Sequence, residues 1–111
     1  MKTFVMEGRT ITLIAPYAVT SGNGMLVGSI FGVASADAAL NADVEAVLEG
    51  VFLLTKLTGT AWTQGALIYW DNAAKNCTVV ATGNKLIGVA TAAAASGDAV
   101  GNVRLNAAFI S

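Results

Sequence analysis

Apolar and polar residues alternate along most of this chain, and glycine and asparagine interrupt the alternation at short intervals. That is the pattern of many short β-strands. Ile11, Leu13 and Ala15 share one face of the first stretch, Thr10, Thr12 and Ile14 share the other, and Pro16 ends it. Ser21-Gly22-Asn23-Gly24 reads as a hairpin turn, because glycine and asparagine tolerate positive φ. Met25-Leu26-Val27 and Ile30-Phe31-Gly32-Val33-Ala34 follow, two residues apart, and suit adjacent strands. From Asp43, alternation places Val44, Ala46 and Leu48 inward against Glu45 and Glu49, and the same parity runs past Gly50, a bulge position, to Phe52 and Leu54. Ala66 to Trp70, a turn over Asp71 to Asn76, and Thr78 to Thr82 form a second expected hairpin. Leu86 to Ala90 is a further strand, and Val103, Leu105, Ala107 and Phe109 alternate with Asn102, Arg104 and Asn106 in the last one.

Helix has little room. The best candidates are the alanine-rich stretches Ala36 to Ala42 and Ala92 to Ala99, the second cut short by Ser96-Gly97-Asp98. The expectation is therefore a mainly β, small single-domain barrel or sandwich of short strands, with at most one or two short helices. Residues 9–111 form the β-rich domain, and residues 1–8 are either an N-terminal arm or a first strand. An internal echo adds detail. Ile30-Phe31-Gly32-Val33-Ala34 matches Leu86-Ile87-Gly88-Val89-Ala90, and Ala46-Val47-Leu48 to Phe52 matches Val103-Arg104-Leu105 to Phe109, in the same order, so two like strand–loop–strand units are expected to pack in one barrel.

Composition changes the picture in one direction. Charged residues are 12% of the 111, about half the usual share, while apolar residues are 55%. A small domain has much surface for its volume, so such a chain is suited to being covered by copies of itself or by a partner. The net charge is −1, and the six basic residues, Lys2, Arg9, Lys56, Lys75, Lys85 and Arg104, form no cluster, which argues against a nucleic-acid partner. Thr10 to Ala36 carries no charge, but Pro16 and the glycine-rich turn break it well short of the roughly 20 apolar residues of a membrane span. The lone Cys77 has no disulfide partner in the chain and is expected as a small buried hydrophobe.

Chemistry is sparse. With no histidine, Ser-His-Asp and Cys-His catalysis and the common zinc and iron ligand sets are excluded. Thr82-Gly83-Asn84-Lys85-Leu86 lacks the upstream glycine and the metal-binding hydroxyl of a phosphate loop. The reading is a non-enzyme with no metal and no cofactor. Trp62, Tyr69, Trp70 and Phe109 are assigned to core or subunit packing, since aromatics dominate both.

Gly8-Arg9-Thr10-Ile11-Thr12-Leu13 followed by Ala15-Pro16-Tyr17-Ala18-Val19-Thr20-Ser21-Gly22 resembles the opening of a family of small phage and prophage capsid cement, or head decoration, proteins. The resemblance continues through Gly28 to Ala34, Glu49 to Phe52, Gly65 to Asp71, Gly88 to Ala90, Ser96 to Asp98 and Val103 to Asn106, nearly the whole chain. It implies a β-rich homotrimer that binds the major capsid protein on the outer surface of the virion and stabilises the shell. Synthesis in the bacterial host cytoplasm follows from the same resemblance. The recombinase-like label sometimes given to such proteins has no support here, because the phosphate loop and basic surface are missing. In the residues themselves, Lys2, Thr3, Phe4, Val5 and Met6 are the candidate capsid-contact arm, with Phe4 and Val5 as apolar anchors. The alternative function is a small β-barrel carbohydrate-binding or adhesion module; a glycosidase pair of carboxylates, with Trp62, Tyr69 or Trp70 as sugar platform, is the more remote enzymatic reading.

Overall fold

A computed structural model describes residues 10–106. Nine strands, β1 (Thr10–Ile14), β2 (Gly24–Val27), β3 (Ile30–Ala34), β4 (Asp43–Val47), β5 (Glu49–Thr55), β6 (Leu67–Asp71), β7 (Asn76–Thr78), β8 (Lys85–Ala90) and β9 (Val100–Asn106), make an all-β fold. They form two antiparallel sheets, ordered β1-β4-β3-β2 and β5-β9-β8-β6-β7. The five-stranded sheet curls until Lys56, just past β5, bridges Cys77 of β7 in the parallel sense, bringing its two end strands together at one corner.

The internal echo is structural. In each sheet the first strand pairs with the last, the last with the third and the third with the second; β7 is an extra strand added to the second unit. Backbone hydrogen bonds repeat as well. Gly22 N–H donates to Ala34 O at 2.8 Å, and Gly65 N–H to Ala90 O at 2.7 Å. Val19 and Ala38 exchange bonds of 2.9 and 3.0 Å; Trp62 and Ala94 exchange bonds of 2.9 and 3.1 Å. Gly22 and Gly65 have φ of 88° and 87°, a left-handed conformation that glycine adopts without strain. The expectation of two like units in one barrel is corrected in one respect, since each unit hydrogen-bonds its own sheet and the two meet through side chains. Phe52, matched above with the end of the first unit, belongs to β5 and opens the second.

Three local expectations also change. Ser21-Gly22-Asn23-Gly24 is a turn into β2, not a hairpin, because β1 and β2 are opposite edges of their sheet. The Gly28-Ser29 turn makes the β2–β3 hairpin, Gly28 supplying φ of 59°. Neither helix candidate is helical. Ala36 to Ala42 and Ala92 to Ala99 are loops in equivalent places, each holding one bridge residue, Ala38 or Ala94, and one tight turn, closed by Ala42 N–H to Ala39 O and by Asp98 N–H to Ala95 O, both 3.0 Å. Seven or eight residues are too few to sustain a helix alone, and strand pairing claims their backbone groups first. The β6–β7 hairpin forms, but β7 is Asn76–Thr78 instead of reaching Thr82. Thr78 Oγ1 accepts from Val80 N–H at 3.2 Å and turns the chain away.

Each unit has its own core. The first is built from alanines and valines around one large side chain, with Ala15, Val19, Ala34, Val44 and Ala46 packed about Met25. In the second, Trp62, Ile68, Ala90 and Val103 fill the places of Val19, Met25, Ala34 and Ala46, and Phe31 and Val33 of β3 join it from the other side of their sheet. Phe31 packs on Trp70 with ring centroids 5.0 Å apart, fastening the two units.

Candidate docking surface

Each unit leaves part of one sheet face exposed, in the first unit only over β1 and β4 because Phe31 and Val33 on the same side of β3 pack into the second core, and strand register dictates what each face presents. In the first unit Thr10, Thr12 and Ile14 of β1 lie directly opposite Val47, Glu45 and Asp43 of β4. Ile14 is 59% exposed, and Asp43 and Glu45 are exposed beside it, so this face is acidic with one apolar corner. In the second unit the equivalent residues Val51, Leu53 and Thr55 of β5 oppose Arg104, Asn102 and Val100 of β9. Register continues from Arg104 to Val89 of β8 and from Val89 to Leu67 of β6, giving a row Val51, Arg104, Val89, Leu67 about 14 Å long, three interstrand spacings. Val51, Leu53, Leu67 and Val100 are 43 to 61% exposed. Four large aliphatic side chains sharing one open sheet face are an interaction surface in a chain this poor in charge.

A cleft of about 300 Å³ opens where the units meet, lined by Tyr17, Thr20, Asn23, Thr55, Trp70 and Lys75 among others. Its polar groups hold the junction. Tyr17 hydroxyl donates to Gly24 O at 3.1 Å, and Lys75 Nζ stands 4.0 Å from the centre of the Tyr17 ring while donating to the carbonyl and the side-chain oxygen of Asn72. Burial raises the Tyr17 pKa, and no carboxylate lines the cleft. That arrangement ties the β6–β7 turn to the first unit.

Among the aromatic residues singled out from the sequence, Trp62 and Trp70 are each 2% exposed and lie in the second core, and Tyr69 is half-buried on β6. A sugar platform requires an open ring face, which neither tryptophan has. Phe109 and the arm residues Lys2, Thr3, Phe4, Val5 and Met6 lie outside the described residues. Lys56, scattered among the basic residues in sequence, is buried at 3%: its Nζ donates to Leu57 O at 3.2 Å and Asp98 O at 3.4 Å, and it stands 5.8 Å from the centre of the Trp62 ring. Cys77 is fully buried, and desolvation pushes its thiol up to about 12, so it is an inert packing residue. Among the described residues no group of three or more His, Cys, Asp or Glu is placed to hold a metal ion, and no helix is long and apolar enough to cross a membrane.

Parity read from the sequence already turned Phe52 and Leu54 inward and so Val51 and Leu53 outward, as the structure has them, but it did not show that Leu67 and Val100 of other strands share their face.

No curated protein and no solved structure matches the chain. The sequence model of one family, described as phage cement protein, matches residues 5–105. An all-β body with both tryptophans inside and an open aliphatic sheet face is in keeping with that assignment, and the match spans all nine strands but for the last residue of β9: this chain belongs to the phage cement protein family.

Proposed function

We propose that the protein binds the outside of a phage head as a homotrimer, contacts the major capsid protein, and stiffens the shell without catalysing a reaction. The observation that carries this reading is the family match over almost the whole chain, on a body that presents an open sheet face of exposed aliphatic residues. A cement protein works through many weak contacts made at once. Three copies joined together engage several shell subunits, and each further contact becomes intramolecular, which raises the effective affinity by orders of magnitude.

The shell contact is assigned to the arm Lys2 to Met6, which precedes β1 by three residues in the sequence. Among the described residues β1 has a single strand neighbour, β4, and it carries neither charge nor proline, the devices that blunt an edge against further pairing. In this reading the edge of β1 stays open to a further strand, and the arm adds to a capsid sheet with Phe4 and Val5 as anchors.

Expanded heads lacking the protein test this. Purified full-length chain is expected to co-sediment with them and to raise their temperature of disruption, while a chain lacking residues 2–7 is expected to keep its fold and lose occupancy. Full occupancy by the shortened chain would end the arm assignment. Failure of the full-length chain to bind any expanded head of its own phage would end the cement reading.

A further inference from the structure

The duplication has left equivalent faces with opposite character. Asp43, Glu45 and Val47 on β4 correspond to Val100, Asn102 and Arg104 on β9, and Thr10 and Thr12 on β1 correspond to Val51 and Leu53 on β5. Two acids on one face therefore stand where the other has a valine and an asparagine, and a cation stands where the first has a valine. The second face is open across β5, β9 and β6, and the first is open over β1 and the Asp43–Glu45 end of β4, while Val33 and Phe31 on the same side of β3 are packed into the second core. Glu49, at the far end of β5, is already engaged, which leaves Arg104 as the charge at the centre of the aliphatic patch.

We propose that the subunit contact of the assembly joins these two faces head to tail: the β1/β4 face of one copy covers the β5/β9/β8/β6 face of the next, with Asp43 and Glu45 meeting Arg104 and with Ile14 against Leu53 and Val51. This rests on the homotrimer reading above and specifies its interface. A contact between different faces of successive copies generates a ring when its rotation closes, whereas a contact of one face with itself stops at two copies. Charge complementarity selects the occupant. The aliphatic patch meeting its own copy would set Arg104 close to Arg104, and the acidic face meeting itself would crowd four carboxylates; pairing unlike faces removes both repulsions and covers the open aliphatic residues.

Sedimentation or native mass measurement of the purified chain over a dilution series tests the contact. Wild type is expected as a trimer. Arg104→Glu, Leu53→Asp and the pair Asp43→Lys with Glu45→Lys are each expected to move dissociation to higher concentration by about tenfold or more, with circular dichroism and unfolding midpoint unchanged because every one of these side chains is exposed. Combining Arg104→Glu with Asp43→Lys and Glu45→Lys restores opposite charges and is expected to recover the trimer. Failure of the combined variant to improve on its parents, or a wild-type monomer at every concentration, would overturn the proposal. A trimer that resists Leu53→Asp while losing shell binding would also overturn it, giving the aliphatic face to the capsid and leaving the cement reading intact. Rescue of the trimer by the combined variant, in a protein whose wild type ignores expanded heads, would uphold the contact and sink the cement reading instead.

Discussion

Cys77 shows how burial governs the chemistry of a single side chain. Its thiol is surrounded by the second core and held at about 12, against an ordinary value of 9.0. Above pH 9 the unfolded chain loses this proton while the folded chain keeps it, so the unfolded state binds fewer protons and stability falls as pH rises from 9 towards 12. The slope is on the order of 1 kcal/mol per pH unit. Tyr17, raised by its own burial, adds to the loss above pH 10. Urea unfolding between pH 7 and 12 is expected to show this decline, and Cys77→Ala, less stable at pH 7 because it leaves a cavity, is expected to show a shallower one. Parallel curves would mean that the thiol ionises within the fold. At this scale the sequence was informative: a lone cysteine among alternating apolar residues reads as a buried hydrophobe, and it is one. Lys56 was not legible, because a lysine bonded to two carbonyl oxygens looks like any other until the loop carrying Asp98 folds over it.

At the scale of elements, glycine marks where backbones approach most closely. Gly32 and Gly88 occupy equivalent places on β3 and β8, yet a side chain would meet different obstacles at each. A Cβ on Gly88 would stand 2.0 Å from Arg104 O, a backbone atom fixed by the β8–β9 pairing; a Cβ on Gly32 would meet Ala46 Cβ and Leu48 Cδ2, both at 2.9 Å. Gly88→Ala is therefore expected to cost about 3 kcal/mol or more, and Gly32→Ala less, about 2 kcal/mol, since its contacts are shallower although Ala46 Cβ and Val47 O, at 3.2 Å, move only with β4. Chemical denaturation of the two variants checks the order, and equal losses would contradict the geometry. Strands were legible wherever one face is buried, as in β1, β4 and β9, because alternation then records the burial directly. The two alanine-rich loops were not. Alanine favours helix in isolation, and only the partners Val19 and Trp62 commit Ala38 and Ala94 to extended backbone.

The whole molecule is one β unit used twice with cores of unequal weight. Alanines and valines fill most of the first, while Trp62, Trp70, Leu54, Ile68 and Ile87 fill the second, and each large side chain buried contributes about 1.5–3 kcal/mol. Amide hydrogen exchange is expected to be faster in β1 and β4 than in β8 and β9, with β3 protected like the second unit because Phe31 and Val33 are packed into it. Uniform protection across both sheets would refute the imbalance. The sequence alone determined that the chain is built of short strands, that its order of elements repeats, and that histidine-dependent catalysis is excluded, because alternation, glycine spacing and residue inventory are properties of the linear chain. Tertiary structure decided that the repeats form separate sheets, that Trp62 and Trp70 turn inward, and that Leu67 and Val100 come to share one open face with Val51 and Leu53. Those outcomes depend on which strand lies beside which, and a residue's own neighbours in sequence carry no record of the strand that pairing will place across from it.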